Sequence, residues 1–102
     1  MRIKMDKDIT DKPAIELIDP RFILGMGRVL TFGAKKYNEG SWKDTSFKND
    51  KDYGAAMRHL LKWRSGEEKD EESGESHLLH AACDIMILYY DELQKKEEIC
   101  SY

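Results

Sequence analysis

The sequence predicts an all-α fold, a small helical bundle in one domain. Three observations carry that expectation. Apolar residues recur at helical spacing in three segments, helix start and stop signals bracket those segments, and no alternating pattern is long enough for a sheet. A length of 102 residues points to a single domain. The mixed-charge stretch 1–13, ending in Pro13, reads as an N-terminal arm, residues 14–97 as the domain and 98–102 as a tail. A domain this small is marginal alone, so an oligomer is expected.

The elements follow in order. "AIELI", Ala14 to Ile18, is a short apolar patch that reads as an extended lead-in. Asp19 is a good N-cap and Pro20 suits the first helical position, so the first helix begins there. Ile23, Met26, Leu30 and Ala34 keep its apolar spacing. Gly25, Gly27 and Gly33 weaken it by up to about 1 kcal/mol each and mark places where another helix or a ligand can approach. Residues 38–50 form a polar loop carrying Trp42 and Phe47. A second helix starts near Asp52 and stops before Gly66. Its Tyr53, Met57, Leu60 and Arg64 share one side, and His59 and Trp63 another. After the acidic turn Glu67 to Glu75, a third helix runs from near Ser76 to about Glu97, with Leu78, Ala82, Ile85 and Tyr89 as its apolar stripe.

Composition narrows the function classes. Hydrophobic residues make up 40% and charged residues 36%, an ordinary globular mix. A net charge of −3 argues against duplex nucleic acid, which needs a strongly positive face, but leaves room for a small anion held by local cations. No apolar run approaches the roughly 20 residues that span a bilayer. The first residues lack the apolar core of a signal peptide. Cys83 and Cys100 form neither a metal-type pair nor a disulfide framework, which fits a reducing, cytoplasmic setting.

The stretch "GESHLLHAACD", Gly74 to Asp84, concentrates the chemistry. On a helix, His77, His80 and Asp84 are spaced i, i+3, i+7 and lie on one face, which continues to Leu88 and Asp91. Two imidazoles and a carboxylate could bind a divalent metal or a phosphate. Spacing alone favours the plainer reading, a polar helix start whose histidines are satisfied by hydrogen bonds. Arg58 and Lys62 sit one turn apart and suit phosphate oxygens, or form a solvated cationic edge. Lys35 and Lys36 end the first helix, where the helix dipole favours cations in any case. Trp42 either anchors its loop or stacks on a ring. Asp70, Glu71, Glu72 and Glu75 could complete an oxygen-rich Mg²⁺ or Mn²⁺ site, or simply solubilise the turn.

The blocks "KPAIELIDP", "VLTFGAKKY", "SW", "YGAAMRHLLKWRSGE" and "DEESGESHLLHAACD", spread over about residues 12–92, resemble a small, mostly phage-encoded family named for dATP/dGTP diphosphohydrolase. That family is similar to the all-α MazG-type nucleotide pyrophosphohydrolases. The resemblance implies a MazG-like bundle that oligomerises, binds a purine nucleotide with a divalent metal, and hydrolyses between the α- and β-phosphates to release pyrophosphate. Matching positions are Lys35, Lys36, Tyr37, Trp42, Arg58, His59, Trp63, Glu67, Asp70, Glu72, His77 and His80. Asp84 stands where Asn is often found. MazG-type enzymes hold metal with ExxE on one helix and ExxD on the next. Here "AAMRHLLKW" has no glutamate, and the third helix offers Asp84 with His80 one turn before it.

Two functions follow as expectations. As a purine dNTP diphosphohydrolase, the chain would use Asp70, Glu72 and Asp84 to hold Mg²⁺ or Mn²⁺, with His77 and His80 as the catalytic pair, ligand or base. Lys35, Lys36, Arg58 and Lys62 would neutralise phosphate, and Tyr37, Trp42, His59 and Trp63 would complete the nucleotide contacts, with Trp42 or Trp63 stacking on the base. As a non-catalytic sponge needing no cofactor, it would sequester a nucleotide immune signal, a cyclic dinucleotide or an ADP-ribose derivative. Either way the expected partners are a small nucleotide and further copies of the chain (dimer, tetramer or hexamer), with no nucleic acid polymer and no membrane. The expected compartment is the cytoplasm, that of the host if phage-encoded. His77, His80 and Asp84 should face Arg58 and His59 across a cleft between the second and third helices.

Overall fold

The computed structural model describes residues 12–36, 43 and 49–99, with side chains described as far as 97. Three helices follow one 3₁₀ turn, Ile15–Leu17: α1 (Pro20–Lys36), α2 (Asn49–Arg64) and α3 (His77–Ile99). The all-α expectation holds. The lead-in is not extended, because Leu17 N–H donates to the Ala14 carbonyl at 3.1 Å and Ile18 N–H to that of Ile15 at 3.0 Å. Five apolar-rich residues are too few for periodicity to separate a strand from a tight turn.

Each helix boundary has a local cause. Asp19 caps α1, its carboxylate accepting the Arg21 backbone N–H at 2.8 Å. α2 starts at Asn49, ahead of the expected Asp52, and the Asn49 side chain donates to Asp91 Oδ2 at 2.9 Å. Gly66 ends α2 at φ +109°, a conformation that L side chains rarely adopt. Ser76 caps α3, its hydroxyl accepting the Leu78 N–H at 3.1 Å.

α1 and α2 each pack chiefly on α3. The pairings Asn49 with Asp91 and His59 with His77 make α2 and α3 antiparallel. Gly25 is buried where α1 meets α3, and a Cβ there would lie 2.6 Å from Leu79 Cδ1. Gly27 and Gly33 have open space instead, so only one of the three glycines marks a close approach.

The face that α3 buries is not the expected one. Leu78, Ile85 and Tyr89 are exposed, at 41%, 54% and 57%, and so are Tyr53, Met57 and Leu60 of α2. The buried apolar residues are Val29, Ala56, Ala81 and Cys83, joined by His77 and Asp91. α3 carries two stripes, one of large apolar groups and one running through His77, His80, Asp84, Leu88 and Asp91. The second stripe forms the seam with α2, where its polar groups find partners on the facing helix. Among the described residues, no helix is long and apolar enough to cross a membrane.

Candidate functional site

The polar seam gathers histidines at one end. His59 projects from the third turn of α2 and His77 opens α3, so antiparallel packing brings their rings together. Their Nδ1 atoms lie 2.8 Å apart. His77 is fully buried and its Nε2 meets Glu67 Oε2 at 2.5 Å. A neutral imidazole that donates Nε2–H to Glu67 presents a lone pair on Nδ1, so His59 Nδ1–H is then the donor between the rings. The ring of His80 stacks on that of His59, with centroids 4.7 Å apart and planes 14° from parallel.

The acidic turn closes over this group. Asp70 N–H donates to the Glu75 carbonyl at 2.9 Å, Gly74 N–H to that of Asp70 at 2.8 Å, and Lys69 and Ser76 form an isolated antiparallel bridge. Gly74 adopts φ +76°, which lets the turn close. Ser73 then links the turn to the helix. Its N–H donates to Asp70 Oδ2 at 2.9 Å, and its hydroxyl, accepting Glu75 N–H, meets His80 Nε2 at 2.6 Å.

Burial, helped by the neighbouring imidazoles, lowers the His59 pKa to about 4, so this ring is neutral near pH 7. Burial also lowers His80, against the pull of Asp70. The 3.8 Å approach of His80 to Asp70 is therefore not an ion pair at neutral pH. Burial would raise Asp70, but the hydrogen bonds from Ser73 outweigh it and hold the carboxyl below its usual range. Asp84 goes the other way, pushed up to about 7 by burial and by Asp52, against the pull of Arg58.

The expected residues are thus partly assembled. His77 and His80 meet His59 across the α2–α3 seam, and Arg58 acts on Asp84 farther along it. The three expected metal carboxylates do not converge. Glu72 pairs with Lys36 at 2.5 Å and Glu75 with Arg28 at 3.0 Å, so cations of α1 engage both, although each still acts electrostatically on His80. Among the described residues, the potential ligand atoms that converge are those of His59, Asp70 and His77, all within 4.8 Å of one another. His59, expected at the nucleotide, belongs to this group. Fully buried and bonded through both nitrogens, His77 is placed to hold rather than to exchange protons with a substrate. Arg58, Lys62 and Lys35 are exposed, as is Trp63 at 39%. Tyr37 and Trp42 lie outside the described residues. Residue spacing had no means of finding Ser73, whose contact exists only once the turn folds back, nor the link from Glu67 to His77.

Comparison with known proteins agrees with this arrangement of motifs. The family described as dATP/dGTP diphosphohydrolase, N-terminal, matches residues 3–99. A dATP/dGTP diphosphohydrolase of Salmonella phage PMBT28 is 34% identical over 88 residues, which are 86% of this chain and 29% of that relative. The chain therefore spans less than a third of the relative's length. No solved structure matches it. With nearly its whole length matched, the chain belongs to the dATP/dGTP diphosphohydrolase N-terminal family.

Proposed function

We propose that the chain is a divalent-metal-dependent diphosphohydrolase that converts dATP or dGTP to the monophosphate and pyrophosphate. The carrying observation is the cluster of His59, His77, His80 and Asp70 in the α2–α3 seam, bordered by the exposed cations Arg58 and Lys62. The phage relative's name supplies the substrate class. Arg58, Lys62 and Lys35 take the phosphate charge, and the half-exposed Trp63 offers a surface for the base. His80, partly accessible and neutral, is the better placed of the two expected catalytic histidines to accept a proton from water. A bound divalent cation would neutralise the phosphates and polarise the bond that breaks. We further propose that copies of the chain associate through the exposed stripe of α3, since large apolar side chains line it.

One observation favours a second reading. Asp70, Glu72 and Asp84 do not form a carboxylate cage, and capture of a nucleotide without turnover needs only cations and rings. A recovery assay separates the two. Excess protein is mixed with dATP, dGTP, cyclic dinucleotides and ADP-ribose derivatives with Mg²⁺ or Mn²⁺, and the filtrate is chromatographed before and after heat denaturation. Monophosphate with pyrophosphate supports the hydrolase. A nucleotide that leaves the filtrate and returns intact on heating supports the sponge.

A further inference from the structure

We propose that His59, His77 and Asp70 form a nitrogen-rich metal site selective for borderline cations such as Zn²⁺, Co²⁺ or Ni²⁺ over Mg²⁺. Two imidazoles and one carboxylate form the convergent set. Imidazole suits Zn²⁺, Co²⁺ and their neighbours, whereas Mg²⁺ keeps oxygen ligands and sheds water reluctantly. The donor set thus disagrees with the oxygen-lined Mg²⁺ site that the acidic turn suggests from sequence.

The geometry supports metal at the two Nδ1 atoms. They face each other at 2.8 Å. Tetrahedral coordination at about 2.0–2.1 Å sets two nitrogens about 3.3 Å apart, so a widening of about 0.5 Å, with the His59 proton moved from Nδ1 to Nε2, admits the ion. Glu67 accepts His77 Nε2–H on the far side of the ring, which orients Nδ1 inward as a carboxylate behind a metal-bound histidine does. His80 stacks on His59 and is tied to Ser73, and Ser73 also holds Asp70, so both remaining ligands are braced by one serine. Three protein ligands leave coordination positions open, the pattern of catalytic rather than structural zinc sites. The link from these open positions to a phosphate oxygen rests on the hydrolase reading; the site itself does not.

Co²⁺ titration of the full chain without nucleotide tests it. The expected result is one equivalent of Co²⁺ with visible d–d absorption, displaced by stoichiometric Zn²⁺ and not by millimolar Mg²⁺. His77 is buried, so the test uses His59→Asn and Asp70→Asn, with helix content checked by circular dichroism in EDTA. Each variant should remain helical and lose Co²⁺ affinity at least about tenfold, and Glu67→Gln should weaken it by a similar factor. No absorption and no retained metal, or binding unchanged in both ligand variants, overturns the proposal. Conversion of dGTP to dGMP and pyrophosphate with Mg²⁺ but no Co²⁺ binding would sink this site and keep the hydrolase. Co²⁺ binding without turnover would do the reverse.

Discussion

The Nδ1 atoms of His59 and His77 lie 2.8 Å apart across the α2–α3 seam, with Glu67 against the opposite nitrogen of His77. Two elements that are distant in sequence are thereby locked through one buried ring. Removing that ring leaves a cavity and strands its partners. His77→Ala is expected to lower unfolding stability by about 2–4 kcal/mol. Denaturant unfolding measures this, and a loss below about 0.5 kcal/mol would show the seam to be held elsewhere.

Asp84 gives a pH signature. Its carboxyl is raised to about 7, chiefly by burial. The folded state therefore binds this proton more tightly than the unfolded chain does. Its contribution favours folding most at acid pH, falls away as pH rises from the usual carboxylate range to about 7, and is flat above. Asp84→Asn should remove that loss. The variant's melting temperature relative to the parent should be higher at pH 8 than at pH 5, and an equal difference at both values contradicts the assignment.

The glycines of α1 make a paired test. Gly27→Ala meets open space and should stabilise by up to about 1 kcal/mol through helix propensity. Gly25→Ala would press on Leu79 at 2.6 Å, so overpacking of about 1–3 kcal/mol should cancel or exceed that gain. Thermal melts of the two variants should differ in this order, and a Gly25→Ala protein as stable as Gly27→Ala would mean that α1 and α3 are not so closely packed.

The exposed stripe of α3 predicts a separation of effects. Ile85→Lys should change the stability of the isolated chain by no more than about 0.5 kcal/mol, as for other surface sites. The same change should shift sedimentation toward a smaller species. A large loss of folding stability with unchanged mass would place Ile85 in the core after all.

Much of the fold was legible because its signals are local. Asp19 with Pro20, Gly66 and Ser76 mark helix ends through backbone chemistry that needs no tertiary context. The inside of α3 was not. Periodicity reports that Leu78, Ile85 and Tyr89 share a face, and that His77, Asp84 and Asp91 share another, but not which one a neighbour covers. Burial of the polar face depends on His59, Asn49 and Arg58, which lie on α2 and match it only once the helices are antiparallel. For the site, His77 and His80 stood out by residue type. That Glu72 serves Lys36 while Asp70 serves the histidines depends on how the turn closes around Ser73, which spacing does not encode.

The most direct test of the account is phosphorus NMR of dGTP mixed with the protein and diamagnetic divalent cations, Mg²⁺ and Zn²⁺ both present, run beside the His80→Ala variant. The account predicts dGMP and pyrophosphate from the parent chain, without free phosphate at early times, and a rate reduced about 10²–10⁴-fold in the variant, as for loss of a general base. Intact dGTP in both samples, or equal rates in both, would contradict it.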